Sequence, residues 1–100
     1  MKNFEVLIYQ GDAELDEYND NVDVEVIMKN GVRYSATFFT IENIKTMFEK
    51  NKLTGECNSG LFFWATDMLI VERLNLETIE TTINELIGEG SIAHAMTKLD

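Results

Sequence analysis

The clearest structural pattern in this chain is VDVEVIMKNGVRYSATFF, residues 22–39. In its first part every second residue is apolar and two of the three residues between them are acidic, which predicts a β-strand with one buried face. The apolar positions are Val22, Val24, Val26 and Met28. Asn30-Gly31 then signals a hairpin into a second strand over residues 32–39.

Side-chain pairing decides the register of this hairpin. A two-residue turn at Asn30-Gly31 would place the valine face over polar residues of the second strand. A three-residue loop, residues 29–31 with Gly31 left-handed in a bulge, makes one continuous apolar face instead. We therefore predict the second register, which pairs Met28 with Val32, Val26 with Tyr34, Val24 with Ala36 and Val22 with Phe38.

The segments on either side of the hairpin extend the sheet and add a helix. Alternation over Phe4–Tyr9 predicts a first strand, and a polar acidic connection, Asp12–Asn21, follows it. Thr40 is a good N-cap for a helix over Ile41–Lys52 that ends before Gly55. Its apolar stripe, expected on the sheet, is Ile41, Ile44, Met47 and Phe48. Two short apolar runs, Leu61–Ala65 and Met68–Glu72, predict a second hairpin.

A second helix is predicted over Leu76–Ile87, with Asn75 as its N-cap. Its inward stripe is Leu76, Ile79, Ile83, Leu86 and Ile87. Ile92–Leu99 makes two turns of a terminal helix if an apolar surface receives it. The order β-β-β-α-β-β-α predicts one α+β domain over residues 1–100, with an antiparallel sheet of about five strands and the helices packed on one face. The uncovered face is expected to hold Asp23, Glu25, Ile27, Arg33, Ser35, Thr37 and Phe39.

Composition sets the class of protein. The chain has 100 residues, of which 45% are hydrophobic and 26% charged, and this balance is typical of a globular domain. It has no apolar run of signal-peptide or membrane-span length, and its single cysteine, Cys57, cannot form an internal disulfide. We therefore expect a cytoplasmic protein that does not bind membranes.

Charge is concentrated near the amino end. The net charge is -10, and the first 25 residues hold eight acidic groups against Lys2 alone. Such a surface repels nucleic acid and attracts basic proteins. The residues predicted to bind a basic partner are Asp12, Glu14, Asp16, Glu17, Tyr18, Asp20 and Asp23, with Tyr18 or Tyr9 as a buried anchor.

Three patterns in the sequence could suggest a calcium site or a catalytic residue, but each lacks residues that such a site needs. Several of the same acids fit a calcium-loop template, but its glycine position holds Glu17, its final Glu is replaced by Asp23, and no helix flanks it. Cys57 has no neighbouring cation to activate it, and His94 has no companion for metal binding or base catalysis. We therefore predict no catalytic residue, no metal site, no cofactor and no enzyme activity.

The stretch from Phe38–Ile41 through Thr54–Glu56, with Phe62–Ala65 and Asp67–Val71, resembles small bacterial proteins, some of which are similar to immunity proteins of toxin systems. This resemblance implies an inhibitor of a basic toxin, and it agrees with the charge argument. The first hypothesis is therefore a protein-binding module that acts by occlusion. The second is a homo-oligomeric structural or regulatory subunit joined through Ile27, Phe39 and Trp64. The third is a calcium-binding or enzymatic domain that uses the acidic loop.

Overall fold

The computed structural model describes residues 3–11 and 14–99, and these form the predicted α+β fold around a five-stranded sheet. None of the helices in these residues is long and apolar enough to cross a lipid bilayer. The strands are β1 (Phe4–Tyr9), β2 (Asn21–Met28), β3 (Arg33–Thr40), β4 (Met68–Val71) and β5 (Thr97–Leu99), and the helices are α1 (Ile41–Thr54), α2 (Glu56–Gly60), α3 (Leu76–Gly88) and α4 (Ile92–Ala95).

The hairpin of β2 and β3 has the predicted register. Val22 lies opposite Phe38, Val24 opposite Ala36 and Val26 opposite Tyr34. The loop closes through the Met28 N–H, which donates to the Val32 carbonyl at 2.7 Å, and Gly31 is left-handed with φ 90°. β1 pairs antiparallel with the other edge of β2. The apolar side chains that alternate from Phe4 in β1, Val22 in β2 and Tyr34 in β3 therefore share one face.

The predicted second hairpin is wrong. Leu61–Ala65 is not a strand, and β4 runs parallel to β3, with Phe38 opposite Leu69. The reason is the connection through α1, which carries the chain away from the sheet and back, so that β4 enters in the same direction as β3. Phe63 instead packs edge-on against Phe39, with the ring centroids 5.5 Å apart.

The terminal helix is also shorter than predicted. Only one helical turn forms, α4, and the chain then becomes β5, which pairs antiparallel with the first half of β3. Ile92 and Met96 are buried in the core. A two-turn helix is unstable on its own. Residues 97–99 form a strand instead, because β4 leaves part of the β3 edge unpaired and its backbone groups need hydrogen-bond partners.

The core lies between α3 and the valine face of the sheet. Ile79 and Ile83 are fully buried there, together with Val24, Val26 and Phe38. The first residue of the predicted stripe on α3, Leu76, is exposed instead. The apolar stripe of α1 does not join this core: Ile41 is exposed, and Ile44, Met47 and Phe48 are partly buried outside it.

The helix ends follow the predicted capping. The Thr40 hydroxyl accepts from the Asn43 N–H at 3.0 Å, and the Asn75 side chain accepts from the Thr78 N–H at 2.7 Å. Gly55 ends α1 with φ 84°. α2 was not predicted, and its backbone is left-handed at three consecutive non-glycine residues, Cys57, Asn58 and Ser59.

Candidate protein-binding surface

The sheet face opposite the core is the candidate site, and it is called the open sheet face below. Its residues alternate with the core residues along the strands and lie in register across them. Leu7, Tyr9 and Ile70 on this face are exposed. By register the open sheet face consists of Glu5, Leu7, Tyr9, Asn21, Asp23, Glu25, Ile27, Arg33, Ser35, Thr37, Phe39, Met68, Ile70, Thr97 and Leu99. Phe39 lies on it as predicted but is covered by Phe63.

Glu25 is the centre of a polar network that joins three strands. Its carboxylate accepts a hydrogen bond from the Tyr9 hydroxyl at 3.2 Å and pairs with the Arg33 guanidinium at 3.0 Å. Only 11% of the Glu25 side chain is exposed. A carboxylate this well covered needs such partners, because an unpaired buried charge is costly. The network therefore fixes the positions of Tyr9 and Arg33 on the surface.

The Tyr9 hydroxyl gives this network a pH dependence. Loss of solvent, the hydrogen bond to Glu25 and the charge of that carboxylate raise the pKa of Tyr9 above 10.0, against the opposing effect of Arg33. Because the pKa is raised in the folded state, the stabilisation is complete below the unfolded pKa. It is lost as the pH rises through the folded pKa.

We expect an absorbance titration at the tyrosinate band to show that Tyr9 ionises above the ordinary pKa of tyrosine. Tyr9→Phe should remove that transition, and Glu25→Gln should lower the Tyr9 pKa, because it removes the negative charge that opposes tyrosinate formation. Tyr18→Phe is the control and should leave the transition in place. A wild-type curve in which Tyr9 titrates at or below its ordinary pKa would contradict this assignment.

A shallow depression of about 350 Å³ lies on the open sheet face beside this network. Three carboxylates line it, those of Asp23, Glu25 and Asp67. Asp23 accepts a hydrogen bond from the Thr37 hydroxyl at 2.7 Å, and Asp67 accepts one from the Thr97 hydroxyl. The Thr37 N–H donates to the Asp67 carbonyl at 3.0 Å, which holds this residue at the edge of the depression.

Within residues 14–21, the described part of the predicted acidic loop, two carboxylates bind the local backbone. Asp16 accepts hydrogen bonds from the backbone N–H groups of Tyr18 and Asn19, both at 3.1 Å. Asp20 accepts from the N–H groups of Asp16 at 3.0 Å and Asn21 at 2.8 Å. These are local bonds of the kind that stabilise turns. The carboxylates of Asp16 and Asp20 therefore stabilise the backbone conformation of this segment.

The same segment is tied to both long helices. Glu17 accepts a hydrogen bond from the Asn75 side chain at 2.9 Å, and its other neighbour is the Arg73 guanidinium at 4.0 Å. On the other side, the Asn19 side chain bonds with Asn43 of α1 at 3.2 Å. The segment thus connects the start of α1 with the start of α3.

The structure places the predicted partner-binding residues in different local settings. Asp23 lies on the open sheet face, Asp16 and Asp20 support the turn, and Glu17 is paired with Arg73. Glu14 and Tyr18 are exposed. Asp12 lies outside the described residues. The sequence analysis did not select Asp67 as a site residue. Its position in a predicted turn, after Thr66, could be read from the sequence. Its proximity to Asp23 could not, because that depends on the parallel pairing of β4 with β3.

The predicted oligomer residues differ in exposure. Ile27 is partly buried, Trp64 is 67% exposed, and Phe39 is only 4% exposed. Phe39 was expected at an interface, but Phe63 covers it. Phe39 is therefore unavailable to a partner in this structure.

No cluster of three or more His, Cys, Asp or Glu side chains placed to hold a metal ion occurs within residues 3–11 and 14–99. In comparisons with known proteins, no family model, no curated protein and no solved structure matches the chain.

Proposed function

We propose that this chain is a small acidic protein-binding module that docks a basic protein on its open sheet face. The observation that carries the proposal is the depression lined by Asp23, Glu25 and Asp67, with the exposed ring of Tyr9 at its edge. An aromatic ring beside carboxylates suits an arginine or lysine side chain, which brings both an apolar stem and a positive charge.

The charge balance of this face supports a basic occupant. Together with Asp67, the open sheet face carries four carboxylates against the single guanidinium of Arg33, which already pairs with Glu25. The carboxylates are Glu5, Asp23, Glu25 and Asp67. Surfaces of opposite charge accelerate association and select against wrong partners. The rows of apolar and polar side chains around the depression supply the remaining contact area.

The mechanism we propose is occlusion. A basic protein seated on the sheet would have its cationic surface covered, and an immunity-type inhibitor of a toxin with a basic substrate cleft acts in this way. The rigid backing of the sheet by α3 keeps the face in its binding shape before the partner arrives, which lowers the entropy cost of association.

An NMR titration with an arginine-rich decapeptide tests this proposal. We expect the largest amide shifts at Tyr9, Asp23, Thr37 and Asp67, and we expect them to disappear at about 0.5 M salt as the charges are screened. The double variant Asp23→Asn/Asp67→Asn keeps the hydrogen-bond acceptors but removes two charges. It should weaken binding about tenfold, equivalent to about 1.4 kcal/mol.

The matched control is Glu77→Gln/Glu85→Gln, which removes the same amount of charge from exposed positions on α3. It should change the affinity by less than about twofold, because distant exposed charges are screened. Equal weakening by both double variants would mean that the peptide responds only to net charge, and it would contradict the proposal. Shifts centred on α3 would do the same.

A further inference from the structure

A second, separate surface of the molecule is apolar. It is formed by four large side chains near the end of α1 and after α2, and it is called the apolar tip below. The exposed fractions are 89% for Leu53, 72% for Leu61, 47% for Phe62 and 67% for Trp64. Single exposed apolar residues are ordinary on protein surfaces, whereas several large ones in neighbouring parts of the fold favour an interaction site.

The left-handed turn α2 returns the chain at Leu61 to the end of α1. It folds the chain back onto α1, so that Gly60 lies against the Phe48 carbonyl and the backbone of Lys52. Leu61, which follows Gly60, is thereby placed close to the last turn of α1, where Leu53 lies. Phe63 turns inward onto Phe39, whereas its neighbours Phe62 and Trp64 stay exposed.

The charge around the apolar tip distinguishes it from the rest of the molecule. Residues 41–66 contain three acidic and three basic side chains, so their net charge is zero, and the other residues carry the whole net charge of -10. Two of the basic groups pair within α1, Lys45 with Glu42 at 3.2 Å and Lys52 with Glu49 at 3.4 Å. A basic partner gains nothing at this neutral surface.

We infer that the apolar tip binds a second copy of this chain. Two molecules of charge -10 repel each other wherever acidic surfaces meet, and the neutral region around the tip lets them approach with less of that repulsion. A symmetric dimer uses the same surface twice, so each apolar side chain meets an apolar partner. This inference concerns a different surface and a different partner from the proposed function, and each can fail alone.

The area is sufficient for such a dimer. From their exposed fractions, the four side chains offer on the order of 500 Å² on each copy. Two copies would then bury about 1,000 Å² from these residues alone, which reaches the lower range of specific protein interfaces. Trp64 has the size and the aromatic character that dominate binding energy at such interfaces.

Sedimentation equilibrium of the full chain tests the inference. We expect a monomer–dimer equilibrium in the micromolar range. Trp64 is the single tryptophan, so its emission should also move to shorter wavelength as the dimer forms and water leaves the ring. Trp64→Glu and Leu61→Glu should each weaken the dimer at least a hundredfold, because each places a charge at the centre of the apolar contact.

Leu76→Glu is the matched control, since Leu76 is similarly exposed and lies in the first turn of α3, where an acidic residue is favourable. It should leave the dimer constant within about twofold, and circular dichroism should show all three variants folded. A wild-type chain that stays monomeric up to about 1 mM would overturn the inference. So would a dimer that resists both tip variants, or one that Leu76→Glu dissociates equally.

Discussion

Ile83→Ala is expected to lower the free energy of unfolding by about 3 kcal/mol. Ile83 is fully buried between α3 and the valine face, so the truncation removes apolar contacts and leaves a cavity. A domain of this size has a total stability of about 5–15 kcal/mol, and each kcal/mol lost lowers the melting temperature by about 4–8 °C. Urea unfolding followed by circular dichroism measures the loss.

Leu76→Ala, on the same helix, is the control for Ile83→Ala. Leu76 is exposed, so its truncation should cost less than about 0.5 kcal/mol. If the two variants were equally stable, α3 would not rest on the sheet through Ile83, and the assignment of the covered and open faces would be wrong.

Gly60→Ala is expected to cost about 3 kcal/mol, for two reasons that act together. Gly60 has φ 79°, a conformation that strains alanine. A methyl group there would also lie 2.5 Å from Cγ of Lys52 and 2.8 Å from the Phe48 carbonyl oxygen. The backbone of α1 cannot move away without disturbing the helix, so the turn must shift instead.

Gly55→Ala separates the two causes. Gly55 has nearly the same backbone angle, φ 84°, but no atom lies within 4 Å of the added methyl group. We expect Gly55→Ala to cost about 1 kcal/mol from backbone strain alone. The difference between the two variants in urea unfolding then measures the steric contact of Gly60, and equal losses would contradict the close packing of α2 on α1.

Local patterns in the sequence were sufficient for the first half of the fold. The alternation of valines fixed the faces of β2, and pairing of apolar side chains selected the register with Gly31 in the loop. Thr40 and Asn75 cap their helices as expected, since capping depends on residues that are three apart in the chain.

The remaining elements depend on contacts that are distant in sequence. Leu61–Ala65 has the composition of a strand, but burial of Phe63 on Phe39 and the return path from α1 decide its conformation. Thr97–Leu99 forms a strand because part of the β3 edge is open to it. No local sequence pattern predicts the conformation of either segment. In both, contacts with distant parts of the chain override the intrinsic secondary-structure propensity.

The candidate site, too, could be predicted only in the part that depends on local sequence patterns. The presence of Asp23 and Glu25 on the uncovered face follows from alternation alone, but the nearness of Asp67 follows from the parallel pairing of β4. The density of acidic residues before β2 is visible in the sequence. Their internal hydrogen bonds, such as those of Asp16 to the backbone, could not be seen from charge.

The edge of β3 is divided between two short strands of opposite direction, four residues of β4 and three of β5, which meet where Thr97 bonds to Asp67. A long uninterrupted edge is a template on which further chains add as strands and grow into fibrils. Here β4 and β5 run in opposite directions, so the outer edge that they form has no single strand direction. An added strand, in either orientation, could pair regularly with only one of the two. On this side of the sheet the molecule is thus protected against amyloid-like growth.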